Sequence, residues 1–212
     1  MQQPVTDKEV LLAQYGRDGQ LRGADLSFME IRAMDLRGVD LTGAILVGSR
    51  LYDMVFDHCI MSEIHIQETV LQNVSLMGSQ MDHAFCQRAS FVGCRLEEAN
   101  LQYSRLLMCN LEAVPLCRAD LRMAQLLACQ LDRADMRGAD LSKASLREST
   151  LDHTRFIDCN LSGADLRKTN LYDAYYERVQ TAGTIYYGKS PWDGQNSSVT
   201  QLGRKLVVFD GE

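Results

Sequence analysis

The chain has 212 residues, of which 46% are apolar and 24% charged, a balance that suits a folded core and excludes an intrinsically disordered chain. A formal net charge of −6 argues against a basic nucleic-acid binder. No run approaches the ~20 apolar residues that span a bilayer, so no membrane partner is expected. The opening MQQPVTDKEV lacks the basic-then-apolar order of a secretory signal, and a cytoplasmic location follows. Seven cysteines, an odd number, then read as reduced thiols rather than a disulfide framework.

The first predicted element is a helix over residues 6–15, TDKEVLLAQY. Thr6 with Glu9 three residues on makes a capping box, and Gly16 supplies a stop. Val10, Leu11 and Tyr15 are placed to cover whatever follows. Residues 1–19 are accordingly assigned to an N-terminal capping unit.

From Leu21 to Leu171 every fifth residue is apolar, thirty-one in succession. Leu26, Leu46, Leu101, Leu121, Leu141 and Leu161 typify this buried series. A second column lies two residues earlier and is mostly small, with Ala24, Ala44, Ala119, Ala139 and Ala164 among its members. It also takes Cys59, Cys94, Cys109, Cys129 and Cys159. The position just before the large residue favours Asp or Asn, as in Ala-Asp-Leu at 24–26, 119–121, 139–141 and 164–166. Neither a helix nor a strand has a period of five. A chain that bends every five residues has one, with a large and a small side chain pointing inward and three pointing out. No such unit buries its own apolar residue, so the units must stack as a solenoid.

This A(D/N)LXX pattern resembles the pentapeptide-repeat proteins over residues 20–176. The resemblance implies an all-β solenoid: a right-handed, quadrilateral β-helix of about eight coils with four repeats, or 20 residues, per coil. At ~4.8 Å between hydrogen-bonded strands the rod is ~38 Å long. Residues 177–212 form a C-terminal tail that either caps the far end or reaches a second subunit. Tyr186, Tyr187, Trp192 and the run Leu206–Phe209 are its candidate cap residues.

In this register His58, His65, His83 and His153 face outward on four different sides and do not converge. No metal site, cofactor or catalytic dyad is therefore assigned, and the chain is read as a non-enzyme. Cys109 and Cys129 stack in adjacent coils, but the inward column elsewhere holds Ala and Ser, so both read as buried small groups. Cys117 is the cysteine expected at the surface.

Sorting the outward residues by side singles out the repeats centred on 26, 46, 66, 86, 106, 126, 146 and 166. That side carries Phe28, Ile45, Val47, Phe85, Leu107, Met108 and Leu127, an apolar patch of the kind that marks an interface or lies under the chain's own helix or tail. The side centred on 21 and 41 reads as mainly polar. Two functions fit. One is a rigid scaffold that binds a protein partner, with a homodimer as a further form. The alternative, implied by the quinolone-resistance group of the family, is a DNA-mimicking modulator of DNA gyrase or topoisomerase. Over residues 20–176 there are 21 Asp and Glu against 16 Lys and Arg, whereas duplex DNA of that length carries about 22 phosphate charges. Interspersed arginines such as Arg118, Arg122 and Arg137 dilute that mimicry, the core column is Leu-centred rather than Phe-centred, and the scaffold reading is preferred.

Overall fold

The computed structural model describes residues 7–171, 173–186 and 207–208. Its hydrogen bonds show how a five-residue unit satisfies its own backbone. In the repeat around Leu26, the Ala24 N–H donates to Leu21 O and closes the corner. The next coil's Ile45 N–H donates back to Ala24 O, while the Leu26 and Phe28 N–H groups donate forward to Ile45 O and Val47 O. The Ser27 N–H is taken by the Asp25 carboxylate at 3.0 Å. In an inner repeat such as Ala119–Met123 all five donors have partners, which a buried solenoid backbone requires.

The Asp/Asn preference is thereby explained. The side chain accepts from the N–H two residues on, as in an Asx turn. The same bond recurs from Thr42 to Asp40, Gln102 to Asn100, Ser142 to Asp140 and Ser162 to Asn160 at 2.9–3.1 Å. Corners recur with the period of five, and their third residue takes a positive φ: Gly23 at 58°, Gly43 at 66° and Gly138 at 70°, but also Ala113 at 56° and Arg133 at 60°. This left-handed conformation is cheapest for glycine.

Four corners make one coil, and successive coils pair in parallel. β1 (Glu30–Arg32), β2 (Arg50–Tyr52), β3 (Val70–Gln72) and β4 (Ser90–Val92) form one sheet. β5 (Arg155–Ile157) pairs with β6 (Tyr175–Glu177). Elsewhere the rungs are single bridges, each 20 residues apart, and eight of them climb one side from Asp25 to Ile185. From Asp25 to Ile185 no bulge breaks the register, which fixes the side on which each described residue between them lies. At the far end β7 (Ile185–Tyr186) pairs with β8 (Val207–Val208). The other tail residues assigned to the cap, Tyr187, Trp192, Leu206 and Phe209, lie outside the described residues.

The core is the column read from the sequence: Leu26, Leu46, Leu101, Leu121, Leu141 and Leu161 are all buried. The second column is less uniformly small than its Ala and Cys members suggest, since Met29, Met34, Met54 and Ile64 are buried there in the first coils. Its polar members satisfy themselves on the backbone. Thr69 donates to Leu46 O at 2.6 Å, Ser149 to Leu126 O at 2.6 Å and Cys129 to Leu106 O at 2.7 Å. Each bond reaches back 23 residues, onto the preceding coil. All seven cysteines are free, and only Cys117 among them is not buried.

The helix α1 (Lys8–Tyr15) is present, with its cap one residue later than the sequence pattern places it. Thr6 lies outside the described residues. The N-cap is Asp7, whose extended backbone lets its carboxylate accept from Glu9 N–H at 2.8 Å and Val10 N–H at 3.4 Å. Glu9 thus sits in the first turn, its N–H donating to the Asp7 cap. Leu11 is fully buried, and Leu12 and Tyr15 pack against the core, but Val10 is 51% exposed and covers nothing. Gly16 ends the helix in an extended conformation. Glycine is required by proximity there, because a Cβ would meet Leu12 O at 2.5 Å and Gln20 O at 2.7 Å. Among the described residues no helix is long and apolar enough to cross a membrane.

Candidate interaction surface

The unbroken register puts the apolar residues on the side the sequence assigned, in unequal states. Phe28 is 79% exposed, Met108 56% and Leu127 36%. Ile45, Val47, Phe85 and Leu107 are half-buried. The Phe28 ring lies across the next coil's corner, where a Cβ on Gly48 would sit 2.7 Å from it. Neither α1 nor any other described segment covers Phe28, Met108 or Leu127.

The patch is not continuous, contrary to the expectation of a single apolar line. Between Val47 and Leu107 the same positions hold Gln67 and Gln87, with Glu68 and Arg88 beside them forming a loose ion pair at 3.5 Å. The patch therefore divides into Phe28, Ile45 and Val47 near the N-terminal end and Leu107, Met108 and Leu127 in the middle. Linking them is a stack along the column just before the buried residue: His65 lies parallel to Phe85 at 4.8 Å, and the Arg105 guanidinium covers that ring at 5.5 Å.

Assigning residues to sides concealed a feature that belongs to an edge. The corner residues His83, Tyr103 and Met123 come from the side read as mainly polar, yet Tyr103 and Met123 are exposed. His83 and Tyr103 stack at 5.0 Å and nearly parallel. Across the edge they face Phe85, Arg105 and Gln125, and the two rows line a groove of about 300 Å³. The signal was present in the sequence as a second column stepping by 20; it needed two columns to be taken together.

The four histidines lie apart from one another. His58, His83 and His153 are exposed at corners of different sides and His65 is half-buried in its stack. Among the described residues no group of three or more His, Cys, Asp or Glu is placed to hold a metal ion. The buried thiols are the reverse of activated nucleophiles: burial pushes Cys59 up to about 11 and Cys94 and Cys159 up to about 12. Cys117, half-buried beside Asp135, is also raised, chiefly by burial.

The carboxylates are largely occupied by the chain's own cations. Arg37 grips Asp35 at 2.5 Å, Arg122 grips Asp120 at 2.7 Å, Arg137 grips Asp135 at 2.8 Å and Arg167 grips Asp165 at 2.6 Å. Hydrogen bonds from the Arg37 guanidinium and its backbone N–H hold Asp35 down at about 2. Such pairing removes more than half of the rod's carboxylates from any imitation of a phosphate backbone.

Comparison with known proteins agrees with this architecture. No curated protein matches the chain by sequence. Solved structures include HetL, a pentapeptide repeat protein involved in heterocyst differentiation regulation from the cyanobacterium Nostoc, at 27% identity, covering 85% of this chain and 92% of that one with a TM-score of 0.37. Another is full-length QnrB1, a plasmid-mediated fluoroquinolone resistance protein, at 16% identity over 84% of this chain and 91% of that one, TM-score 0.42. The family described as pentapeptide repeats matches in overlapping stretches that run from 20–57 to 144–175. With its five-residue corners, its 20-residue rungs and this match over most of its length, the chain belongs to the pentapeptide-repeat family.

Proposed function

We propose that this protein is a non-enzymatic scaffold of the cytoplasm whose side bearing Phe28, Ile45, Val47, Phe85, Leu107, Met108 and Leu127 binds a protein partner. The observation that carries the reading is the exposure of Phe28, Met108 and Leu127 on a single side of the rod, with Ile45, Val47, Phe85 and Leu107 half-buried beside them. Exposed apolar clusters of this kind favour association, and a solenoid offers them on an extended, rigid face.

The test is replacement of Leu107 and Leu127 together by Asp, followed by quantitative capture of binding proteins and by light scattering. Both side chains point out of the rod, so circular dichroism should be unchanged while partner or self-association falls at least about tenfold, as expected for charges placed in an apolar contact. Capture and association identical to wild type would sink the reading. The gyrase alternative is separated by a supercoiling assay with and without a quinolone. The internal pairing of Asp35, Asp120 and Asp135 supports an expectation of no effect at large excess, and inhibition or drug protection would reverse the preference.

A further inference from the structure

We infer that the edge groove lined by His83, Phe85, Tyr103, Arg105, Met123 and Gln125 is an acceptor for a short extended segment of a partner protein that presents an acidic side chain next to an apolar one. The inference rests on the scaffold reading and specifies its partner's chemistry.

Three observations carry it. The first is charge. In a protein of net charge −6, most arginines of the rod are neutralised by a neighbouring carboxylate, as at Arg22, Arg37, Arg118, Arg122 and Arg137. Arg105 has no carboxylate partner among the described residues, and no acidic residue lines the groove. Its guanidinium is held over the Phe85 face, so its donor fork is oriented while its hydrogen-bonding capacity is unspent. A carboxylate is the group that fork matches.

The second is the wall. Tyr103 and the Met123 thioether are exposed, and His83 stiffens Tyr103 by stacking. A flat ring beside a polarizable chain suits an aromatic or branched aliphatic side chain. Gln125 adds an amide that meets no partner within the described residues and is suited to a peptide backbone. The third is size. The groove spans three coils, hence two rungs or ~10 Å, the length of about three extended residues, and its volume of about 300 Å³ fits two or three side chains rather than a folded element.

The probes are two acetylated, amidated tripeptides, Asp-Leu-Phe and Phe-Leu-Asp, with their Asn counterparts. They are titrated into full-length protein carrying labelled methionine methyls, and the Met123 signal is identified by its loss in Met123→Leu. At least one Asp peptide should shift that signal saturably and bind roughly tenfold tighter than its Asn counterpart. Arg105→Gln should erase the preference for Asp without changing the affinity of the Asn peptide, whereas Arg50→Gln, on another side, should change nothing. Equal binding of Asp and Asn peptides, or no Met123 shift at about 5 mM peptide, overturns the inference. Self-association of the protein that Arg105→Gln dissolves also overturns it, by assigning the groove to a second copy. These readouts are independent of Leu107 and Leu127: if the peptides fail while the double Asp variant still loses its partner, the scaffold reading stands and only the acceptor groove falls.

Discussion

Asp140 shows the repeat working through a single side chain. It accepts the Ser142 N–H at 2.9 Å, the one backbone donor that neither a corner nor a rung provides for. Asp140→Ala should lower stability by about 1 kcal/mol, the cost of a partly buried donor left alone. Asp140→Asn keeps an accepting oxygen and should cost only a few tenths; thermal unfolding of the two variants checks the difference. Titration of these side chains also sets the pH limits of the rod. Asp35 is held at about 2 by Arg37, and Asp25 and Asp158 are lowered by hydrogen bonds from Ser27 and Arg178. A depressed carboxylate stabilises the fold above its unfolded value near 3.9, and the benefit disappears as pH falls toward 2. The unfolding temperature should therefore be flat between about pH 5 and 8 and drop between about pH 4 and 2. The buried thiols act in the opposite direction. Cys59, Cys94 and Cys159 remain protonated to about 11 or 12, whereas unfolded thiols ionise near 8.5. Stability present below that value should decline as pH rises through the alkaline range, and replacing the three by Ala should flatten that decline.

At the scale of elements, the coil was readable from one chain because its signal is redundant: thirty-one apolar residues at a period of five leave no competing register. The helix was readable as a helix and misplaced at its start. Thr6 and Asp7 are both capping residue types, so the sequence alone does not separate them; the extended backbone of Asp7 makes it the cap. Of its three expected covering residues, Leu11 and Tyr15 meet the core and Val10 does not. Leu11 is buried and Val10 is not, so Leu11→Ala should cost about 2–5 kcal/mol and Val10→Ser close to nothing, as measured by thermal unfolding. Which rungs become three-residue strands was not legible. The segments EIR, RLY, VLQ and SFV of β1–β4 share no residue type that sets them apart from single bridges. The groove between His83, Tyr103, Met123 and Phe85, Arg105, Gln125 was missed for a geometric reason. A corner belongs to two sides at once, and residues were sorted onto one.

For the whole molecule, almost every tertiary contact joins a residue to one about 20 positions away, so the rod approximates a one-dimensional stack whose stability is a sum over neighbouring coils. Removing residues 121–140, one full coil, should leave a folded rod about 5 Å shorter, visible as a reduced maximum dimension in small-angle scattering with unchanged β content. Loss of all ordered structure would show instead that distant coils cooperate. Removing only 121–125 should also fold, because Leu126 then takes the place of Leu121 above Leu101 and the inward columns still align.

The absence of any bulge along the eight rungs from Asp25 to Ile185 ties rotation about the axis to position along it. Five residues gained or lost by the chain act as a quarter-turn phase shift: everything downstream revolves by 90° while the interior is unaware of the change. Twenty residues restore the phase and change only the reach. A partner gripping Phe28 and Leu127 together would be dismissed by the first kind of change and merely stretched by the second. Length variation in such a rod thus comes in two currencies, orientation and span, and only multiples of a full coil leave the direction of its surface intact.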